Sequence, residues 1–223
     1  MNVELNSIQT VNRPIIVGVG GLTSNVGKTT LMCELLRAFP DWEAIKTTRG
    51  HYRSCGKDPA ACCVSDLLED EAVIRSGREE TYVAGKDTGR YWGAGAANVH
   101  WVIATDSQVR QGIESALQLV KSAGVFVEGN SFTEYVKPDF FVMVARPDMR
   151  KIKTTARRAM PRVSAVYFSD DAAFFKTGHG LPSVDSDAPV FFPATLPKLV
   201  TRLASLAVIR PSKSTTNLAA AAS

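Results

Sequence analysis

The chain has 223 residues, of which 45% are apolar, and a formal net charge of +4 at pH 7. This length fits one α/β domain with an ordinary core and argues against a second full domain. No apolar run approaches the roughly 20 residues of a membrane helix and no signal peptide is visible, so we expect a cytoplasmic protein without a membrane partner; the mild positive charge suits anionic small ligands, and no nucleic acid is expected.

The first predicted elements are a strand and a helix joined by a glycine-rich loop. The apolar, β-branched run at residues 15–19 predicts the strand, and the pattern of residues 30–37 predicts the helix. A loop of backbone N–H groups between a strand and a helix N-terminus is typical of a polyphosphate site. The loop ends in Gly-Lys-Thr-Thr at residues 27–30, and Gly21 lies six residues before Gly27 instead of the usual five.

This loop predicts Mg²⁺-dependent binding of ATP or GTP. Lys28 would reach the β- and γ-phosphates, and the Thr29 hydroxyl would bind Mg²⁺. The remaining loop residues expected to contact the nucleotide are Ser24, Asn25, Val26, Gly27 and Thr30. Glycines that merely pack a helix against a sheet are the alternative, but the strand, the loop sequence and the helix agree on the first interpretation.

Strands and helices alternate along the rest of the chain. Strands are predicted at 42–46, 99–104, 125–128, 140–144, 165–168 and 190–192, and helices at 65–76, 87–97, 109–120 and 196–209. This alternation predicts a P-loop NTPase-like α/β fold, with a doubly wound, mainly parallel sheet. We expect one domain over residues 1–210, with a cysteine-containing insertion at about 47–84 and a disordered tail over 211–223.

Two charged residues end predicted strands at the edge of the sheet where the phosphate loop lies. Glu128 is followed by Gly129, so we expect its carboxylate beside the loop, where it would bind Mg²⁺ through water or orient a nucleophile. Lys46 would bind phosphate or an anionic substrate. We therefore predict Lys28, Lys46 and Glu128 as catalytic residues and Thr29 and Glu128 as metal ligands; ordinary surface positions for Lys46 and Glu128 are the alternative.

A second glycine-rich segment, at residues 85–96, reads Gly-Lys-Asp-Thr-Gly-Arg-Tyr-Trp-Gly-Ala-Gly-Ala. Glycine, lysine, aspartate and arginine this dense at a helix start predict a loop ordered around an anion, so Lys86 and Asp87 are expected to contact the nucleotide. A simple helix N-cap at Asp87 is the alternative. After the strand at 165–168, Asp170 is predicted to contact the base by accepting hydrogen bonds.

The segment at 85–96 resembles the Gly-Lys-Asp-Ser/Thr…Ala-Gly-Ala segment of the molybdopterin-guanine dinucleotide biosynthesis protein B (MobB) family of P-loop proteins. The similarity continues at residues 27–30, at Lys46 and at Val-Glu-Gly in 127–129, whereas Asn130 stands where the family pattern continues Phe-Lys. The phosphate loop, with its six-residue glycine spacing, is also similar to dethiobiotin synthetase, which carries Glu-Gly on the equivalent strand. The resemblance covers roughly residues 15–145.

These resemblances imply functions of two classes. A MobB-like protein would be an accessory protein of molybdenum cofactor-like biosynthesis that binds GTP or ATP and hydrolyses it slowly. It would work with an unidentified small-molecule or protein partner, and a homodimer is compatible with this role. A dethiobiotin-synthetase-like protein would instead be an ATP-dependent ligase that activates a carboxyl or carbamate group by phosphoryl transfer.

The insertion adds Cys55, Cys62 and Cys63 to either family pattern. Thiolates near His51 suit zinc or an iron–sulfur centre, and a redox-active or substrate-contacting thiol is a second interpretation. Either would make the protein a nucleotide-linked redox or metal sensor, a third hypothesis. We favour a structural role and expect no bound metal, because the spacing matches no standard zinc pattern. His100, within a strand, is also predicted to be structural.

Overall fold

The computed structural model describes residues 13–50, 64–146, 151–170 and 188–209. The strands in this part of the chain are β1 (Ile15–Gly21), β2 (Glu43–Arg49), β3 (Val73–Ser76), β4 (Val99–Ala104), β5 (Gly124–Glu128), β6 (Phe140–Ala145), β7 (Ala165–Phe168) and β8 (Val190–Phe191). Its helices are α1 (Lys28–Ala38), α2 (Arg78–Thr81), α3 (Asp87–Gly93), α4 (Val109–Leu119), α5 (Thr154–Ala159) and α6 (Leu196–Ile209). No helix among the described residues combines the length and the apolar character that crossing a membrane requires.

The strands form one sheet in the order β3-β4-β2-β5-β1-β6-β7-β8. β3 runs antiparallel to β4, and every other neighbouring pair is parallel. Helices α1, α3 and α6 contribute to a buried apolar cluster on one face, and α4 and α5 contribute to a second cluster on the other face. The predicted doubly wound, mainly parallel α/β sheet is therefore confirmed.

Strand β1 lies between β5 and β6, and all of its residues are buried. The register pairs Glu128 with Val19 of β1 on one side and with Lys46 of β2 on the other. Gly20 permits a close approach, because a Cβ there would collide with the side-chain oxygen of Asn130. The carboxyl ends of β1, β2 and β5 therefore meet at one edge of the sheet, where α1 begins.

The prediction of a helix over residues 65–76 is wrong. The chain forms a 3₁₀ turn at Ser65–Leu67 and then the edge strand β3, which pairs with β4. Ile74 contacts the apolar cluster that includes α4, and the Arg75 guanidinium lies 5.9 Å from the centroid of the Trp101 ring. The β-branched residues of β3 favour a strand once β4 is available for pairing. This pairing stabilises the strand over the helix that the local sequence pattern predicts.

Two of the other differences concern the boundaries of predicted elements. β2 continues to Arg49, within the region predicted as an insertion, and α3 ends at Gly93 instead of residue 97. Some predictions concern residues outside the described part of the chain. These are the predictions for His51, Cys55, Cys62 and Cys63 and for the tail over 211–223.

His100 of β4 and Glu43 of β2 form a buried polar pair near the amino ends of these two strands, away from the phosphate loop. His100 Nε2 lies 2.6 Å from Glu43 Oε2, and His100 Nδ1 lies 2.9 Å from Ser76 Oγ. Glu43 Oε1 accepts hydrogen bonds from the backbone N–H groups of Lys121 and Ser122, each at 2.8 Å. Burial alone would raise the pKa of Glu43, but the hydrogen bonds from His100 and the backbone outweigh burial and lower it. These contacts agree with a structural role for His100.

We expect His100→Ala to lower the free energy of unfolding by about 1–3 kcal/mol, because the Glu43 carboxylate loses its side-chain partner in the core and keeps only its two backbone hydrogen bonds. Urea denaturation measures this loss. Combining His100→Ala with Glu43→Gln should cost less than His100→Ala alone, because the amide oxygen still accepts from Lys121 and Ser122 and no buried charge remains. A double variant as unstable as His100→Ala, or less stable, would contradict the argument.

Candidate functional site

The phosphate loop, residues 22–27, connects β1 to α1 and contains two residues with positive φ. Gly27 has φ +95° and ψ 13°, a left-handed conformation that favours glycine, and a Cβ there would lie 2.8 Å from the Cβ of Ser169. Asn25 has φ 55°. No side chain in the described part of the chain caps the N-terminus of α1. The first N–H groups of this helix can therefore bind an anion.

Neighbouring elements hold the loop in place. The backbone N–H of Leu22 donates to the carbonyl of Val144 at 3.0 Å, and the Leu22 carbonyl accepts from the N–H of Lys153 at 2.9 Å. The Asn130 side-chain amide bonds both backbone groups of Gly21: Oδ1 accepts from the N–H and Nδ2 donates to the carbonyl, each at 2.9 Å. Asn130, which departs from the MobB pattern, therefore fixes the residue that precedes the loop.

A cleft of about 430 Å³ lies at the N-terminus of α1. It is lined by Ser24, Asn25, Gly27, Lys28, Thr29, Thr30, Lys46, Asp87, Arg90 and Glu128. All of these except Arg90 belong to the site predicted from the sequence. The volume falls within the range of ordinary small-molecule sites.

Glu128 is the centre of a polar network below this cleft, and it is only 3% exposed. Its Oε1 accepts a hydrogen bond from Lys46 Nζ at 2.6 Å, and its Oε2 accepts one from the Tyr91 hydroxyl. The Thr29 hydroxyl lies 3.4 Å from the same Oε2 atom. Lys46 Nζ also contacts Asp87 Oδ2 at 2.7 Å. One network therefore joins β5, β2, α1 and α3.

The charges in the cleft shift one another's pKa values. Burial lowers the pKa of Lys28, and the Lys46 ammonium lowers it further, while Glu128 offsets part of the effect. Burial also disfavours the charged form of Lys46, but Glu128 and Asp87 outweigh burial and raise its pKa. Burial opposes ionisation of Asp87 as well, yet hydrogen bonds with Lys46 and Thr29 lower its pKa. Lys46 and Asp87 thus stay charged, and an added anion would stabilise the Lys28 ammonium.

The oxygen donors of Thr29 on α1 and Glu128 on β5 suit a magnesium ion better than a zinc ion. The Thr29 hydroxyl and the Glu128 carboxylate are hard oxygen donors at the edge of the phosphate loop. Among the described residues, no group of three or more His, Cys, Asp or Glu side chains could hold a metal ion. Mg²⁺ bound to nucleotide phosphates needs no such group, because one or two protein oxygens and several waters complete its shell.

Three residues predicted to contact the nucleotide are not among those that line the cleft. Lys86 is exposed, in extended backbone just before α3. Val26 is fully buried in the core. Asp170 is half-buried and follows Ser169, the residue beside Gly27. That these three residues contact the nucleotide remains a prediction from the sequence.

Arg90 belongs to the segment predicted to be ordered around an anion, but neither Arg90 nor Tyr91 is among the predicted site residues. Arg90 lines the cleft, with Nη2 3.5 Å from the Thr30 hydroxyl, and Tyr91 reaches the carboxylate network from the core. Both lie on α3, three and four residues after Asp87. Helical spacing applied to residues 85–96 places them on the face of the helix that carries Asp87, whereas their contacts depend on how α3 packs.

The fold is similar to that of two solved structures. HypB from Helicobacter pylori, in complex with nickel, is 13% identical with a TM-score of 0.52, and the match covers 92% of each chain. The "apo" form of LpxK from Aquifex aeolicus, in complex with ATP, is 16% identical with a TM-score of 0.48, and the match covers 80% of this chain and 53% of LpxK. The present chain thus spans about half the length of LpxK.

No protein-family model matches the chain, and no curated protein matches it. At 13% identity the likeness to HypB shows the fold alone, which is the doubly wound, mainly parallel α/β sheet described above. These matches do not confirm the resemblance to the MobB family or to dethiobiotin synthetase.

Proposed function

We propose that the protein binds a purine nucleoside triphosphate, ATP or GTP, with Mg²⁺ in the cleft at the N-terminus of α1, and that it cleaves the terminal phosphate. The observation that carries this proposal is the convergence of Lys28, Thr29 and Glu128 on a glycine-rich loop. Such a loop, an ammonium and two hard oxygen donors are the parts that phosphoryl transfer from a nucleotide requires.

Each side chain has a distinct part in this proposal. The Lys28 ammonium binds the β- and γ-phosphates, and the Thr29 hydroxyl is the direct protein ligand of Mg²⁺. Glu128 orients a metal-bound water or the attacking nucleophile. Lys46, held by Glu128 and Asp87, supplies positive charge beside the transferred group. Thr29 and Glu128 would hold Mg²⁺, which would supply positive charge to stabilise the transferred phosphate.

For the biological role, we propose an accessory protein of cofactor biosynthesis, as the MobB resemblance implies, in which hydrolysis is slow and a small-molecule or protein partner uses the bound state. An ATP-dependent ligase is the second candidate. It is favoured by Arg90, an exposed cation that lines the cleft and would hold an anionic second substrate. We further propose a cytoplasmic protein with no nucleic-acid partner, and a homodimer is consistent with either candidate.

Nucleotide binding is tested by thermal unfolding. We expect Mg²⁺-ATP or Mg²⁺-GTP at about 100 times Kd to stabilise the fold by about 2.7 kcal/mol, because only the folded loop binds the phosphates. The same nucleotide with a chelator and the corresponding nucleoside are the controls, and both should stabilise the fold much less. Melting curves that millimolar Mg²⁺-nucleotide leaves unchanged would contradict the proposal.

The two roles are separated by measuring nucleoside diphosphate release. An accessory NTPase releases diphosphate slowly with nucleotide alone, whereas a ligase needs its second substrate. Bicarbonate with an amine, which together form a carbamate, is the probe for the ligase. Release that accelerates only with this pair supports the ligase, and equal slow release in its presence and absence supports the accessory role.

A further inference from the structure

Tyr91 is a buried side chain that the proposed chemistry does not yet use. It lies on α3, is fully buried among the apolar residues between α1 and the sheet, and donates its hydroxyl hydrogen to Glu128 Oε2. Most of its ring fills the core, but its polar atom reaches the carboxylate at the cleft. Tyr91 therefore links the packing of α3 to the one carboxylate that the proposed chemistry needs.

The Glu128 carboxylate is held from two sides. Lys46 donates to Oε1 from β2, and Tyr91 donates to Oε2 from α3. Thr29, the proposed Mg²⁺ ligand, lies 3.4 Å from Oε2, the same oxygen that Tyr91 contacts. Two donors on different oxygen atoms fix the rotation of the carboxylate plane, which a single donor does not. Tyr91 therefore orients the oxygen that faces the metal position.

Helix α3 also carries two residues that reach the cleft. Asp87 contacts Lys46 Nζ at 2.7 Å, and Arg90 lies 3.5 Å from the Thr30 hydroxyl. With Tyr91, these residues occupy positions one, four and five of the helix, so one short helix contacts the cleft lining and the carboxylate together. A displacement of α3 would therefore move a donor of Glu128.

We propose that Tyr91 is a positioning residue, which holds the Glu128 carboxylate in the orientation that serves the metal and the nucleophile. This inference rests on the proposed nucleotide chemistry. Tyr91 is too deeply buried to contact the nucleotide, so it acts through Glu128. Its loss should therefore reduce turnover and Mg²⁺ use while nucleotide binding is preserved.

Tyr91→Phe is the test, because it removes the hydroxyl and keeps the ring in the core. We expect turnover of Mg²⁺-ATP or Mg²⁺-GTP to fall about tenfold or more, the usual scale for a group that orients a metal-site residue. The KM for nucleotide should stay within about twofold, and the Mg²⁺ concentration for half-maximal activity should rise. Tyr82→Phe is the matched control, since Tyr82 is 45% exposed and directly follows α2, and it should change neither quantity.

A double-mutant cycle with Glu128→Gln separates positioning from general structure. If Tyr91 acts through Glu128, Tyr91→Phe should change the residual turnover of Glu128→Gln by less than about twofold. An equal loss in both backgrounds, an unchanged turnover, or a Tyr91→Phe protein that does not fold would each overturn the inference. If the unmodified chain binds nucleotide normally in these outcomes, the proposed function stands. A chain that binds no nucleotide overturns both.

Discussion

Lys28→Ala is expected to abolish the stabilisation of the fold by Mg²⁺-nucleotide. Lys28 is the first residue of α1 and lines the cleft, where its ammonium would face the β- and γ-phosphates. Alanine favours the helix as well as lysine does, so the loop and α1 should keep their conformation. The gain of about 2.7 kcal/mol expected for the unmodified chain at about 100 times Kd should therefore vanish from the melting curves.

Lys121→Ala is the matched control for this loss. Lys121 is exposed and lies just before β5, at the edge of the sheet opposite the carboxyl ends of the strands. Its replacement removes one positive charge from the protein without changing the cleft, so the full shift should remain. If Lys28→Ala kept a normal shift, the assignment of the loop to phosphate binding would be wrong, whatever the fold.

The strands that carry the site were predictable because they are buried on both faces. Residues 15–19, 125–128 and 140–144 are almost wholly apolar, and a parallel strand covered by helices on both sides needs apolar side chains at nearly every position. The glycine-rich loop then fixed the direction of the first strand and helix. Parallel pairing predicts Glu128 and Lys46 side by side, and the register pairs these two residues, although β2 continues beyond Lys46 to Arg49.

Strand β3 could not be predicted in the same way. It lies at the edge of the sheet, all four of its residues are only partly buried, and it pairs with a strand about 25 residues later. A short run with two apolar residues fits a helix turn or an edge strand equally well. Hydrogen bonds to β4 favour the strand over the helix. These bonds depend on the order of the strands in the sheet and not on the local sequence.

Among the contacts of the site, those within one short segment could be predicted from the sequence and those between distant segments could not. Lys28 and Thr29 follow from a local motif, because neighbouring residues alone build the loop and the helix start. Contacts between distant segments do not follow: Tyr91 reaches Glu128 only because α3 packs on that face of the sheet, and Asn130 reaches Gly21 only because β5 lies next to β1.

Glu128→Gln is expected to lower nucleotide turnover by about 10²-fold or more, the usual scale for a lost general base. The amide keeps the size of the side chain, but it has one acceptor oxygen where the carboxylate has two. Both Lys46 and Tyr91 donate to the carboxylate, so the amide must turn its NH₂ group toward one of them. The variant therefore loses the negative charge and one of the two hydrogen bonds that hold the side chain.

Nucleotide affinity should change much less in this variant, because Lys28 and the backbone N–H groups of the loop supply most of the phosphate binding. Calorimetric Kd values and single-turnover rates measure the two effects separately. Glu114→Gln, an exposed carboxylate on α4, is the matched control and should leave both unchanged. A folded Glu128→Gln protein with normal turnover would make Glu128 a structural residue, whereas equal losses of affinity and turnover would assign it to binding, because a group that acts on the nucleophile contributes mainly in the transition state.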